Sequence, residues 1–288
     1  MKLTVIVPVY KEPELLEDII LKVLGSSYKD VEILVVVDGS TNDQIEEVLS
    51  RYRNKIIVIY NLTRLGKVSS LNKATKIASG DALLFLDNDV ELPDDPYFLN
   101  KLVEEFKDND IVEMPKEGIV SNFFSKVVNY DYLGGAIASF FSSKILGKNL
   151  FLCGSAFAIK RSTFEELGGF SKVVNEDWDL MLKAFSLKKK FSYPIDLKVK
   201  TSLPRNLKEW FDQRKRWSLG FKFWWIEVFK SLNSYLKTLP LLALVGIIFA
   251  IPVVLGFILW QFGAFSKFLG FILLISQHLG MNLGVFLG

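Results

Sequence analysis

Apolar residues in the first part of the chain come in short unbroken runs, at residues 3–9, 33–37, 56–59 and 82–86. Between them lie stretches where apolar positions recur at helical spacing, at 14–24, 44–52 and 67–78. Unbroken β-rich runs alternating with amphipathic helices predict an α/β fold with a mostly parallel sheet covered on both faces. Ligands of such sheets sit beyond the carboxyl ends of the strands. Three runs end there in polar residues: Tyr10 to Glu12 after the first, Asp38 to Ser40 after the second, Asp87 to Asp89 after the fourth. Residues 113–203 are less regular. They contain a predicted helix at 122–141, an apolar run at 151–159, a short helix at 161–167 and an acidic helix start at Asn175, Glu176 and Asp177. An acceptor-side subdomain is expected there.

Past residue 206 the pattern changes. Trp210, Phe211, Trp217, Trp224 and Trp225 lie among lysines and arginines, the composition of an interfacial helix. Residues 239–260 carry no charge, enough length to cross a bilayer. A second apolar stretch at 268–287 contains Gln277, His278 and Asn282 and is a weaker span. The expected layout is a catalytic domain at 1–205, interfacial helices at 206–237, and a membrane region at 238–288. That region is read as a transmembrane hairpin, with a re-entrant second segment as the alternative. The basic cluster Arg205, Lys208, Arg214, Lys215 and Arg216 suits anionic headgroups and a cytoplasmic catalytic face.

Composition sharpens this picture. In the 288-residue chain 50% of residues are hydrophobic although 23% are charged, so the average conceals two unlike parts. A net charge of +3 argues against a nucleic-acid binder with a broad basic surface. The single cysteine, Cys153, excludes an internal disulfide and is expected to be a buried small hydrophobe. The opening residues read as a strand, and no secretory signal peptide is expected.

Candidate chemistry clusters at the strand ends. Asp87 and Asp89, two apart on an extended segment, project to one side, where they can jointly face a hard divalent cation. Asp38 can accept from a base N–H or a ribose hydroxyl, and Gly39 permits close approach; an ordinary Asp-Gly turn, with Asn42 or Asp43 capping the next helix, is the simpler reading. Lys67 after Gly66 opens a helix whose positive end suits phosphate. The glycine spacing of a Walker A loop is absent, which counts against an NTPase. Glu176 and Asp177 offer a general base for an acceptor hydroxyl, or merely favourable charge at a helix start. Gln213, Arg216 and Trp217 share a helix face that presents an amide, a guanidinium and an indole.

In order, these elements resemble the family 2 glycosyltransferases, which have the GT-A fold. The matching segments are 5–12, Asp38-Gly39-Ser40-Thr41, Gly66-Lys67 with Leu71-Asn72, Asp87-Asn88-Asp89, Phe151 to Ser155, Glu176-Asp177, and Gln213 to Trp217. The last is similar to the Q-x-x-R-W motif of cellulose, chitin and hyaluronan synthases, with a close relative in ceramide glucosyltransferases. The resemblance implies an inverting transferase that uses a nucleoside diphosphate sugar, often UDP-linked, with Mg2+ or Mn2+. By the same resemblance Pro8, Tyr10, Glu12, Asp38, Lys67 and Asp87 contact the donor, Asp89 with Asp87 holds the metal, and Asp177 beside Glu176 is the base. Gly154, Ser155, Gln213, Arg216 and Trp217 order diphosphate and acceptor. Val37 and Asn175 depart from the commoner aspartate and threonine. Two spans are few for a polymer channel, so limited transfer to a lipid-linked or glycan acceptor is expected, with membrane lipids and membrane partner subunits as companions. A processive synthase subunit, a nucleotidyltransferase and a catalytically silent sugar-nucleotide-binding protein are the rival readings.

Overall fold

The computed structural model describes residues 1–149 and 151–230. The expected membrane hairpin and the side chain of Arg216 lie outside the described residues. No helix among the described residues is long and apolar enough to cross a membrane.

The four apolar runs form one side of a seven-stranded sheet, from its edge to its middle strand. Strands β1 (Leu3–Val9), β2 (Val31–Asp38), β3 (Ile57–Asn61) and β4 (Ala82–Leu86) are all parallel, in the order β3-β2-β1-β4. Helices α1 (Leu16–Gly25), α2 (Asp43–Arg51) and α3 (Lys67–Ile77) make the crossovers. β1 and β4 are buried along almost their whole length, as unbroken apolar strands with both faces covered should be. Asn42 caps α2 by accepting from the Ile45 N–H at 2.9 Å, the turn-and-cap role that its position allowed. The first helix starts two residues later than the pattern suggested, because Pro13 and Glu14 turn the chain, with Glu14 at φ 24°.

Beyond β4 come β5 (Val90–Glu91), α4 (Phe98–Glu105), β6 (Ile111–Glu113), β7 (Lys116–Ile119) and α5 (Phe123–Leu146). Then follow β8 (Ala156–Lys160), α6 (Arg161–Glu166), α7 (Glu176–Ser186), β9 (Phe191–Ser192), β10 (Val199–Ser202) and α8 (Leu207–Lys230). β8 lies antiparallel to β4, and β6 and β9 complete the sheet, which is therefore mostly but not wholly parallel. β5, β10 and β7 form a separate three-stranded sheet.

Phe85 of β4 stacks on Phe157 of β8 at 5.0 Å and meets Phe170 edge-on at 5.1 Å. Such ring pairs add to area burial and fix how the two strands lie. Their register sets Leu86 opposite Ala156, so Asp87 and Ser155 meet just past the strand ends, and the Asp87 N–H donates to the Ser155 carbonyl at 2.8 Å. Cys153 is exposed, contrary to expectation, because β8 begins only at Ala156 and leaves Cys153 on the loop before it.

Candidate active site

The site grows from the tip of β4. Asn88, the middle residue of the Asp87–Asp89 motif, ties that tip to the loop after β1. Its side-chain amide donates to the Glu12 carbonyl at 2.7 Å, and its own carbonyl accepts from the Leu15 N–H at 2.8 Å. This draws Glu12 and Glu14 towards the two aspartates. Glu14 is pushed up by burial and by the charges of Glu12 and Asp87, a coupling invisible in sequence because it crosses between distant segments.

The two aspartates differ. Asp87 forms an ion pair with Lys67, whose Nζ lies 2.6 Å from Oδ1 and 2.8 Å from Oδ2. Burial opposes the Lys67 charge, but Asp87, Glu176 and Asp177 outweigh it and hold the ammonium above its ordinary range. Lys67 thus lies among three carboxylates. Asp89 has no such cation: its Oδ1 is buried without a hydrogen-bond partner, and burial, Asp87 and Glu14 push its pKa up to about 6.

Glu176 and Asp177 open α7. Helix starts favour negative charge, yet both acids are pushed up, chiefly by burial. Glu176 reaches about 7 with Asp177 as the next cause, while Asp177 is partly relieved by Lys67 and by the N–H groups of Gly154, Trp178 and Asp177 itself. Asp177 Oδ2 accepts from the Gly154 N–H at 2.8 Å and Oδ1 from the Trp178 N–H at 2.9 Å. Gly154 is glycine for a steric reason, since a Cβ there would stand 2.8 Å from Asp177 Oδ2. Asp87, Lys67, Glu176, Asp177, Gly154 and Ser155 are therefore brought together.

Asp38 is 5% exposed, and its carboxylate accepts from the Leu65 N–H at 2.8 Å, the Gly66 N–H at 2.9 Å and the Asn61 amide at 3.1 Å. Burial raises its pKa, but these donors and Ser70 outweigh it, so the net shift is downward. Here it shapes the turn before α3, where Gly66 at φ 84° takes a left-handed conformation that side-chain-bearing residues avoid. That turn carries Arg64, whose guanidinium lies 4.2 Å from the centre of the Tyr10 ring. Together Tyr10 and Arg64 form one wall beside Pro8, and the sequence reading missed Arg64 because nothing local marks it.

On α8, Gln213 donates to the Tyr132 hydroxyl at 3.1 Å and Trp217 lies 6.3 Å from the Tyr132 ring. Both residues therefore face α5, and Arg214 packs on Trp217 at 4.2 Å. Among the described residues no set of three or more His, Cys, Asp or Glu side chains forms a preassembled metal cage. The unpartnered Asp89 oxygen in an acidic surround nevertheless has the chemistry a hard divalent cation would satisfy.

The profile described as glycosyl transferase family 2 matches residues 4–168. Among similar proteins, the poly-beta-1,6-N-acetyl-D-glucosamine synthase of Staphylococcus aureus (strain COL) is 27% identical over 236 residues, 76% of this chain and 54% of its own length. The Staphylococcus epidermidis protein of that name is 25% identical over 272 residues, 86% of this chain and 63% of its own length. The chain thus spans between about half and two-thirds of the length of these relatives. Among solved structures, the mannosyltransferase PcManGT from Pyrobaculum calidifontis, in complex with GDP-Man and Mn2+, superposes with a TM-score of 0.62 at 18% identity, covering 98% of this chain and 87% of that one. S. aureus TarS 1-349 in complex with UDP-GlcNAc gives a TM-score of 0.53 at 21% identity, covering 73% and 60%. Both likenesses concern the fold, a GT-A-like α/β domain.

Proposed function

Because this chain belongs to glycosyl transferase family 2 and is a glycosyltransferase, we propose that it moves a sugar, with inversion, from a UDP-sugar to a lipid-linked or glycan acceptor. The observation that carries this reading is the convergence of Asp87, Lys67, Glu176 and Asp177 at the tip of β4, beside the unpartnered oxygen of Asp89. In the reaction the acceptor hydroxyl loses its proton to the Asp177 carboxylate. Its oxygen bonds to the anomeric carbon while the bond from that carbon to the diphosphate oxygen breaks. The nucleoside diphosphate leaves with that electron pair. The Gly154 and Trp178 N–H groups aim the Asp177 carboxylate and hold it in place.

Asp89, with Asp87, would hold Mg2+ or Mn2+, which supplies charge neutralisation for the departing diphosphate. Lys67 then has two roles. It keeps Asp87 and Asp177 from repelling each other, and its ammonium would offset charge developing on the phosphates. Tyr10, Pro8 and Arg64 form the nucleoside side, with Arg64 on the turn that Asp38 orders. Glu12 contributes to the acidic rim. Gln213 and Trp217 would order the acceptor from α8, with Arg216 assigned there by the family resemblance alone. The uncharged residues 239–260 and the basic cluster before them favour a membrane location with the catalytic domain cytoplasmic.

The UDP assignment draws support from the UDP-GlcNAc-bound neighbour, while the GDP-Man-bound neighbour keeps GDP-sugars in the test. The synthase likeness also favours a second reading, repeated transfer within a polymerising assembly. One assay addresses both. Purified protein is given UDP- and GDP-sugars with membrane lipid extract, and nucleotide release and product length are followed. Acceptor-stimulated UDP release that EDTA abolishes is expected, with a product extended by one or a few sugars. Long polymer would favour the second reading. Failure to consume any sugar nucleotide would remove the transferase proposal itself.

A further inference from the structure

Between β6 and β7 lies a buried ion pair that the proposed chemistry does not use. Glu113 and Lys116 side chains are each 5% exposed, with Lys116 Nζ 3.1 Å from Glu113 Oε1. An ammonium has three donors, and the other two go to backbone carbonyls, Cys153 at 2.9 Å and Ala156 at 3.0 Å. The first carbonyl belongs to the loop before β8 and the second to the first residue of that strand. The same loop gives its Gly154 N–H to Asp177 and its Ser155 carbonyl to the Asp87 N–H. One short segment therefore touches the metal-side aspartate, the base and the buried lysine.

We propose that Lys116, neutralised by Glu113, is a positioning residue. It fastens the 153–156 loop and so fixes the Asp177 carboxylate relative to the tip of β4. Lys116 touches no substrate atom in this scheme and acts through the loop. A buried ammonium contributes little to stability over a well-packed apolar side chain, because desolvation offsets its attractions. Loop placement gives it a function that stability alone does not supply. The proposal rests on Asp177 being the base.

Burial pushes Glu113 up and outweighs the pull of Lys116 and the Cys153 N–H, so its net shift is upward. Burial also opposes the Lys116 charge, but the Cys153 side chain, Glu113 and Asp177 outweigh it. A neutral Glu113 would leave a buried ammonium with no directly paired carboxylate. The charged groups facing Asp177 are Lys67 from α3, Glu176 on its own helix, and Glu113 with Lys116 from the β6–β7 segment.

Two variants of the full chain test this beside Asp177→Asn. The double variant Lys116→Met/Glu113→Gln frees the loop without leaving a buried charge unpaired. Its kcat should fall by at least about tenfold, since small misplacements of reacting groups are costly, while its affinity for nucleoside diphosphate stays within about twofold. Glu113→Gln alone keeps the lysine and the loop but removes a negative charge near Asp177. Its kcat should fall less than that of the double variant, because the Cys153 and Ala156 carbonyls still hold the lysine, and the acid limb of its kcat profile should move to lower pH, which loosened packing by itself would not produce. A folded double variant with parental kcat overturns the proposal. If the double variant does not fold, an unmoved acid limb in Glu113→Gln overturns it. Should Asp177→Asn be inactive while both variants behave as the parent, only the lysine's role falls. Should Asp177→Asn turn over fully, the base assignment falls and this inference falls with it.

Discussion

β2 and β4 flank the same strand, β1, yet they treat their carboxylates in opposite ways. Glu32 near the start of β2 accepts from the Thr4 hydroxyl at 2.6 Å, from the Ser79 N–H at 2.5 Å and hydroxyl at 2.6 Å, and pairs with Lys2 at 3.0 Å. Burial alone would raise it, but these donors hold it at about 2. Asp38 at the end of β2 is likewise filled with donors and lowered. Past β4 and at the start of α7 the balance reverses. Asp89 and Glu176 are raised to about 6 and about 7, and Asp177 is raised as well, with burial the leading cause in each case. A carboxylate saturated with donors contributes to stability, whereas one buried beside like charge costs stability unless a ligand relieves it. The β2 acids serve the fold, and the β4 and α7 acids have the unrelieved burial that the proposed cation, diphosphate or proton would relieve.

The largest expected effect is on turnover. Asp177→Asn keeps the volume and most contacts of the side chain but removes the proton acceptor. We expect kcat to fall by about 1,000-fold, within the range for losing a general base, while donor affinity changes little. The acid limb of the parental kcat/KM profile should also disappear. A raised pKa keeps the proton on Asp177 to higher pH, and activity that needs the bare carboxylate is lost as pH falls through it. An Asp177→Asn enzyme with parental turnover would place the base elsewhere, and Glu176 is the next group to test.

Asp89→Asn should act in two directions. Divalent-cation-dependent donor binding should weaken by about tenfold or more, about 1.4 kcal/mol, when titrated by calorimetry. In EDTA the same variant should be more stable than the parent at neutral pH by about 2 kcal/mol. The sign follows from a folded pKa of about 6, above the usual carboxylate value. The penalty is absent at pH values below the unfolded pKa, grows as pH rises from there through about 6, and is fully present above that. Urea unfolding at pH 7.5 and pH 4 reads it. A destabilised Asp89→Asn would place Asp89 with the β2 acids and break the contrast.

Much of this arrangement was legible in the amino-acid order, and the reasons are physical. β1 to β4 are continuous apolar runs, and polar residues can follow them only where the strands emerge from the core. Asp38, Asp87 and Asp89 were found for that reason. Asp177 stood out as an acid at a helix start and Gly154 only through the resemblance, but the 2.8 Å contact that joins them did not, since two segments meeting across a sheet edge leave no local signal. Arg64, Glu14 and the Glu113–Lys116 pair went unseen on the same grounds. Helix α4 was missed because it is short, and Cys153 was misplaced because the apolar run at 151–159 spans both a loop and a strand. The faint sign of the ion pair is a single acid and lysine interrupting an otherwise apolar stretch, Ile111 to Met114 with Pro115.

The smallest effect belongs to β2. Glu32→Gln removes the charge that Ser79, Thr4 and Lys2 surround, while preserving shape. Lys2 is 38% exposed, so part of the attraction is screened. The loss at pH 7 should be about 1–2 kcal/mol in urea unfolding, with donor binding and kcat unchanged. Here the folded pKa is depressed, so the stabilisation is fully present above the unfolded value of about 4.3. It drains away as pH falls towards about 2. Parent and variant stabilities should therefore run apart at neutral pH and converge through that acidic window, the opposite slope to the one expected for Asp89. If Glu32→Gln instead lowers turnover while leaving unfolding unchanged, the acids of β2 are not a structural set, and pKa direction ceases to separate the scaffold from the site.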